Sequence, residues 1–114
     1  MVTMKIIDER NCRVRTTMDI IGGKWKPIIL YYVWSLGTCR FGEFQRYIPH
    51  ITKKMLTQEL RELERDGIVS RKVFRQVPPR VDYSLTKYGL TLEPILNSMA
   101  DWGAKHRARK LHTP

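Results

Sequence analysis

Residues 52–66 read TKKMLTQELRELERD, and the spacing within them decides how the rest of the chain is organised. On a helix turning about 100° per residue, Leu56, Leu60 and Leu63 fall in one i, i+4, i+7 stripe. On the opposite side Lys54, Gln58, Arg61 and Arg65 lie within about 60° of one another. Glu59, Glu62, Glu64 and Asp66 occupy the flanks. A charge run usually marks a solvated face, but a solvated face tends to intersperse its signs. Here the outward stripe holds bases and one amide, with no acid. Arg, Lys and Gln are the side chains that meet phosphates and the major-groove edges of bases.

The bulk composition supports that reading. Against 21 Lys and Arg stand 11 Asp and Glu, a formal charge of +10 on 114 residues. So large a surplus on a chain of one-domain size points to a polyanionic partner, nucleic acid before anionic membrane. The 42% apolar content argues against disorder of the body. Residues 27–34 form the longest apolar run, far short of the roughly 18 residues of a spanning helix. Acids in the first 11 residues do not suit a signal peptide, so no membrane partner and a cytoplasmic location are expected. Two cysteines without C-x-x-C spacing and three scattered histidines give neither a disulfide framework nor a metal pattern. No paired carboxylates, no Ser/His/Asp order and no phosphate-cradling glycine loop occur, so neither catalysis nor a cofactor is expected.

Outward from residues 52–66, the pattern is consistent. Residues 1–11 form an arm, and residues 13–21 a short helix with Val14, Met18 and Ile21 on one face, stopped by Gly22-Gly23. Residues 24–36 form a second helix with Pro27 in its first turn. Trp25, Ile28, Ile29, Tyr32, Val33 and Leu36 make its stripe, and Leu30, Tyr31 and Trp34 make the other side apolar too, as on a helix shared with a partner. Arg40-Phe41 suits a very short strand. Residues 42–47 form a brief helix ended before Pro49, and Thr52 caps the helix that follows. A short helix, a turn and a longer helix with a basic outward face make a helix-turn-helix.

Alternation in residues 69–74 and 81–85 predicts two strands around RQVPPR, residues 75–80. Prolines stiffen that tip and block edge pairing, and an arginine stands at each end. Such a wing suits a minor groove or a phosphate pair. Beyond Thr86, the residues Tyr88, Leu92, Ile95, Met99, Trp102 and His106 recur as a heptad seam, with a kink or break expected at Pro94. Residues 105–114 are expected to fray as a basic tail.

The expected fold is mainly α with a small antiparallel β-hairpin: a winged helix-turn-helix domain with terminal dimerisation helices. It runs over 1–114 as arm and helices (1–36), helix-turn-helix (42–66), wing (68–85) and C-terminal dimerisation helix (86–108). Candidate DNA contacts are Thr52, Lys53, Lys54, Thr57, Gln58, Arg61 and Arg65, with Arg40 ahead of them and Arg75 and Arg80 on the wing. Trp34, Leu92, Ile95, Met99 and Trp102 are the candidate dimer contacts. A non-specific or architectural nucleic-acid module is the alternative, although RNA recognition favours exposed stacking aromatics and these fall on faces expected to be buried.

The chain resembles the HxlR family of bacterial winged-helix transcription regulators, relatives of the MarR group. The landmarks are Cys12, Gly22-Gly23-Lys24-Trp25, Arg40-Phe41 with Glu43, Lys54-Met55-Leu56-Thr57, Leu60 with Leu63-Glu64, and Asp66-Gly67. Pro78-Pro79-Arg80-Val81, Tyr83-Ser84-Leu85-Thr86, Gly89 and Trp102-Gly103 complete them. The resemblance implies a homodimer on pseudo-palindromic double-stranded operator DNA and an inducer, either a small molecule or an electrophile. It also implies a role for Cys12, where several relatives carry a cysteine that responds to oxidants. Arg10, Arg13 and Arg15 beside Cys12, and a helix start, favour a reactive thiolate. Cys39, next to Arg40, is a bridging candidate. Three departures from the family pattern stand out. Tyr31, Tyr32 and Trp34 make the second helix more aromatic than usual, as for a ligand pocket at the dimer interface or a greasier interface. His50 replaces a glycine after the turn proline, and Gly42 stands where Ser or Asn commonly caps.

Overall fold

A computed structural model describes residues 12–111; the arm at residues 1–11 and the last three residues lie outside the described part. The elements are α1 (Arg13–Ile21), α2 (Lys26–Leu36), β1 (Cys39–Arg40), α3 (Phe41–Tyr47), α4 (Lys53–Arg65), β2 (Val69–Phe74) and β3 (Arg80–Leu85). A 3-10 turn (Gly89–Leu92) then leads into α5 (Glu93–Leu111).

The core forms where apolar stripes converge. Leu56, Leu60 and Leu63 of α4 are all buried, together with Ile29, Leu30 and Val33 of α2 and Phe44 of α3. Burying a leucine contributes about 2 kcal/mol, so the three leucines are what seats α4 with its basic face outward. Leu60→Ala alone is worth about 2–5 kcal/mol. At its start, Thr52 Oγ1 accepts from Met55 N at 3.0 Å, one of the otherwise unpaired amides of the first turn. At its end, Gly67 takes φ +75°, letting Gly67 N donate to Glu64 O at 3.0 Å and Ile68 N to Leu63 O at 2.9 Å. Buried Ile68 over buried Leu63 completes this Schellman stop. In the turn before α4, His50 adopts φ +71°, a conformation histidine tolerates better than most residues.

The expected hairpin is a three-stranded antiparallel sheet, ordered β1-β3-β2. Val69 faces Leu85, Lys72 faces Asp82 and Phe74 faces Arg80, while Cys39-Arg40 pairs with Tyr83-Asp82 on the other edge. The short strand is thus Cys39–Arg40, and Phe41 already opens α3. Arg40, not Gly42, is the N-cap position of α3; Glu43 Oε1 accepts from Arg40 N at 2.9 Å. The helix expected over 24–36 begins at Lys26, with Trp25 at its N-cap and Pro27 in its first turn.

In the C-terminal segment the expected break is found, and the helix runs further than expected. The chain breaks just before Pro94, because the 3-10 turn ends at Leu92 and Pro94 then occupies the first turn of α5. There the ring needs no amide partner. Thr86 Oγ1 accepts from Gly89 N at 2.8 Å and donates to Gly67 O, joining this corner to the end of α4. A Cβ on Gly89 would lie 2.1 Å from Ile68 O, so only glycine fits. Residues 105–111, expected to fray, are helical.

Candidate nucleic-acid interface

The first turn of α4 and its outward face bring Lys53, Lys54, Thr57, Gln58, Arg61 and Arg65 along one open groove. All but Thr57 are exposed, and Thr57 is half-buried. Thr52 is exposed but its hydroxyl is engaged as the helix cap. The expected base-only stripe has an acid on its border. Glu62 lines the same groove and accepts from Gln58 Nε2 at 3.2 Å. Its other oxygen meets Lys26 Nζ at 2.5 Å, and these two hydrogen bonds, the lysine's foremost, hold the Glu62 carboxyl below the usual range. Lys26 is only 7% exposed. Arg65 Nε lies 3.5 Å from Asp66 Oδ1.

The outer face of the sheet carries a second basic cluster. Asp82, in the central strand, is buried beneath three cations. Arg80 Nε and Nη2 donate to its two oxygens at 2.9 and 2.8 Å, and Arg40 Nε lies at 3.7 Å. Lys72 is its cross-strand partner. Hydrogen bonding from Arg80, followed by the charges of Arg80, Arg40 and Lys72, holds Asp82 below the ordinary aspartate range. Arg80 and Lys72 also stand over the Phe74 ring at 4.6 and 5.0 Å. Arg40 and Arg80 are therefore drawn together around one carboxylate, while Arg75 stands exposed on the wing tip. Asp82 and Lys26 were missed by sequence reasoning. Period-2 alternation puts Asp82 on the polar face without showing that cations bury it, and nothing local ties Lys26 to a residue 36 positions away.

The proposed dimer seam lies exposed in the chain. Ile95, Met99 and Trp102 all face outward, and Trp102 is 68% exposed while stacking on His106. Leu92 and Trp34 instead pack partly against the chain's own core. In α1, Val14 and Met18 are exposed and only Ile21 of the expected face is buried.

The two thiols differ. Cys12 is the half-buried N-cap of α1, its sulfur accepting from Arg15 N at 3.4 Å. Cys39 is fully buried in β1, and burial pushes its thiol up to about 12, with the Glu43 charge adding to the shift.

The family model described as HxlR-like helix-turn-helix matches residues 20–111. The chain belongs to this family. Over 102 residues it is 56% identical to the HTH-type transcriptional regulator YdeP of Bacillus subtilis (strain 168), covering 90% of this chain and 79% of the relative. The structure of the redox regulator HypR in its oxidized form is also similar, with TM-score 0.79 and 56% identity over 82% of this chain and 96% of that one. A crystal structure of the regulator YtcD gives TM-score 0.80 and 49% identity, covering 85% and 98%. The HxlR-type chain is thus a transcriptional regulator with a winged helix-turn-helix fold, and not an enzyme. Among the described residues no helix is long and apolar enough to cross a membrane.

Proposed function

We propose that the protein acts in the cytoplasm as a homodimer on double-stranded operator DNA, with α4 in the major groove and the wing on the adjoining backbone or minor groove. What carries this reading is the outward face of α4. Its leucines are consumed by the core, leaving Lys54, Gln58, Arg61 and Arg65 projecting on one side of a helix-turn-helix. The exposed apolar side chains of α1 and α5 support pairing of two copies through Ile95, Met99 and Trp102. Leu92 and Trp34 would support that seam from behind. Anisotropy titrations at several salt concentrations test the reading. Duplex DNA binding should weaken steeply with salt, as phosphate contacts release counterions. Equal affinity for single-stranded RNA would favour a general nucleic-acid module.

The signal is oxidation or electrophilic attack at Cys12. This extends to the chain what HypR's description as a redox regulator says of that relative. Cys12 is the more accessible thiol and caps a helix, whereas Cys39 is held neutral by burial. A Cys12–Cys39 bridge would require β1 to leave the core, so Cys39 is assigned a packing role.

A further inference from the structure

We propose that Glu62 is a positioning residue that presents the Gln58 side-chain amide to an adenine in the major groove. The proposal deepens the reading of α4 as the DNA-reading helix and rests on it.

Lys26 sits in the first turn of α2, where the helix dipole disfavours a cation, and its side chain is 9% exposed. A buried ammonium needs a partner, and Glu62 Oε1 supplies one at 2.5 Å. Glu62 is thereby anchored from the inside, independently of anything α4 meets outside. Its remaining oxygen, Oε2, faces Gln58 Nε2 at 3.2 Å. The i, i+4 spacing makes this contact compatible with an unbroken helix.

An ionised carboxylate accepts hydrogen bonds and donates none. Gln58 must therefore turn its nitrogen toward Glu62 and its carbonyl away. One N–H is taken, leaving one N–H and the Oε1 acceptor. Adenine offers the complement on its major-groove edge: N7 accepts and N6–H donates. Guanine presents two acceptors there, and Oε1 would face one of them. Lys26 also neutralises Glu62, so the carboxylate on the border of the groove does not stand as an unscreened charge toward phosphate.

Selection from a pool of random-sequence duplexes tests the proposal, using full-length wild type, Gln58→Ala, Glu62→Gln and Lys26→Met. Wild type should enrich adenine at one position of each half-site. Gln58→Ala should lose that adenine and keep the other positions, the preference falling roughly 5-fold or more. Glu62→Gln should lose the same adenine, because a neutral amide accepts or donates and no longer fixes the flip. Lys26→Met, which does not reach DNA, should weaken the preference at that position alone. Should Lys26→Met fail to fold, the two Gln58 Nε2 proton resonances of wild type and Glu62→Gln decide. Hydrogen bonding to Glu62 moves one of them downfield of its ordinary glutamine position, and the substitution should return it there. If Gln58→Ala loses a base that Glu62→Gln retains, or if Glu62→Gln instead loses a cytosine it reads itself, the positioning role is overturned while α4 still reads DNA. If wild type enriches no sequence, the reading of α4 fails and this inference with it.

Discussion

Trp34 Nε1 donates to Glu93 Oε2 at 2.8 Å, tying α2 to the first turn of α5. Glu93 is well placed there, since a carboxylate in the first turn also suits the helix dipole. The bond starts α5 against the body of the domain. Leu96 is the one α5 residue buried among those described, and beyond it Met99 and Trp102 face outward.

That geometry makes Trp102→Glu informative. Trp102 lies outside the chain's own buried core, so the variant should keep its helical circular dichroism. A charge in the centre of an apolar interface removes a hot spot of about 2 kcal/mol or more. Sedimentation at micromolar concentration should show wild-type dimer and folded variant monomer. A wild-type monomer, or a variant dimer of undiminished affinity, contradicts the seam.

The Arg80–Asp82 pair predicts a pH dependence of stability. Asp82 and Glu62 are both held below their ordinary values in the folded chain. A depressed folded value contributes stability that is complete above the unfolded-state value of about 4. It is lost as pH falls through the lower folded value. Urea titrations should therefore show wild type losing stability below about pH 4, and Asp82→Asn losing less over that window. Identical slopes for the two proteins would show that Arg80 does not hold Asp82.

On the wing, Arg75 and Arg80 should separate. Arg80 is committed to Asp82 and stacked over Phe74, so it shapes the strand base, and Arg75 at the exposed tip remains to reach outward. Arg75→Ala should reduce affinity most on sites with A·T-rich flanks, where the narrow minor groove deepens the potential. Arg80→Ala should weaken all flanks and loosen the wing, seen as faster amide exchange in β2 and β3. Flank-independent loss from Arg75→Ala would place the tip on backbone alone.

Cys12→Ser isolates the thiol, because serine is itself a good N-cap and α1 should be retained. Iodoacetamide should modify Cys12 of native protein well before Cys39. Mild peroxide should change wild-type DNA binding and leave Cys12→Ser unaffected. Equal responses from both proteins would assign Cys12 to capping alone.

Local features were the legible ones. The leucine stripe of α4, its Thr52 cap and its Asp66-Gly67 stop lie within one stretch of sequence, and both long strands announce themselves by alternation. β1 was misplaced by one residue because two residues carry no period; only pairing with β3 defines it. The break expected at Pro94 is present, but the residues alone do not show that it is a 3-10 turn ending at Leu92, with the proline ring in the first turn of a new helix. In α4, the helical wheel showed the bases but not that Glu62 reaches across to Gln58. Nor did it show Lys26, which tertiary packing brings to the other oxygen of Glu62. The wheel equally could not divide α5 into a face used within the chain and a face left outside.

The central claim is that the outward face of α4 discriminates sequence, and the ratio of specific to non-specific affinity measures it most directly. Anisotropy titrations would compare a duplex recovered by selection with a scrambled duplex, for wild type, Arg61→Ala and Lys54→Ala. Arg61→Ala should lose about 1–3 kcal/mol on the selected duplex and little on the scrambled one, collapsing the ratio. Lys54→Ala should weaken both alike and reduce the salt slope by about one. If Arg61→Ala lowers both affinities equally and leaves the ratio at its wild-type value, α4 supplies charge without reading bases.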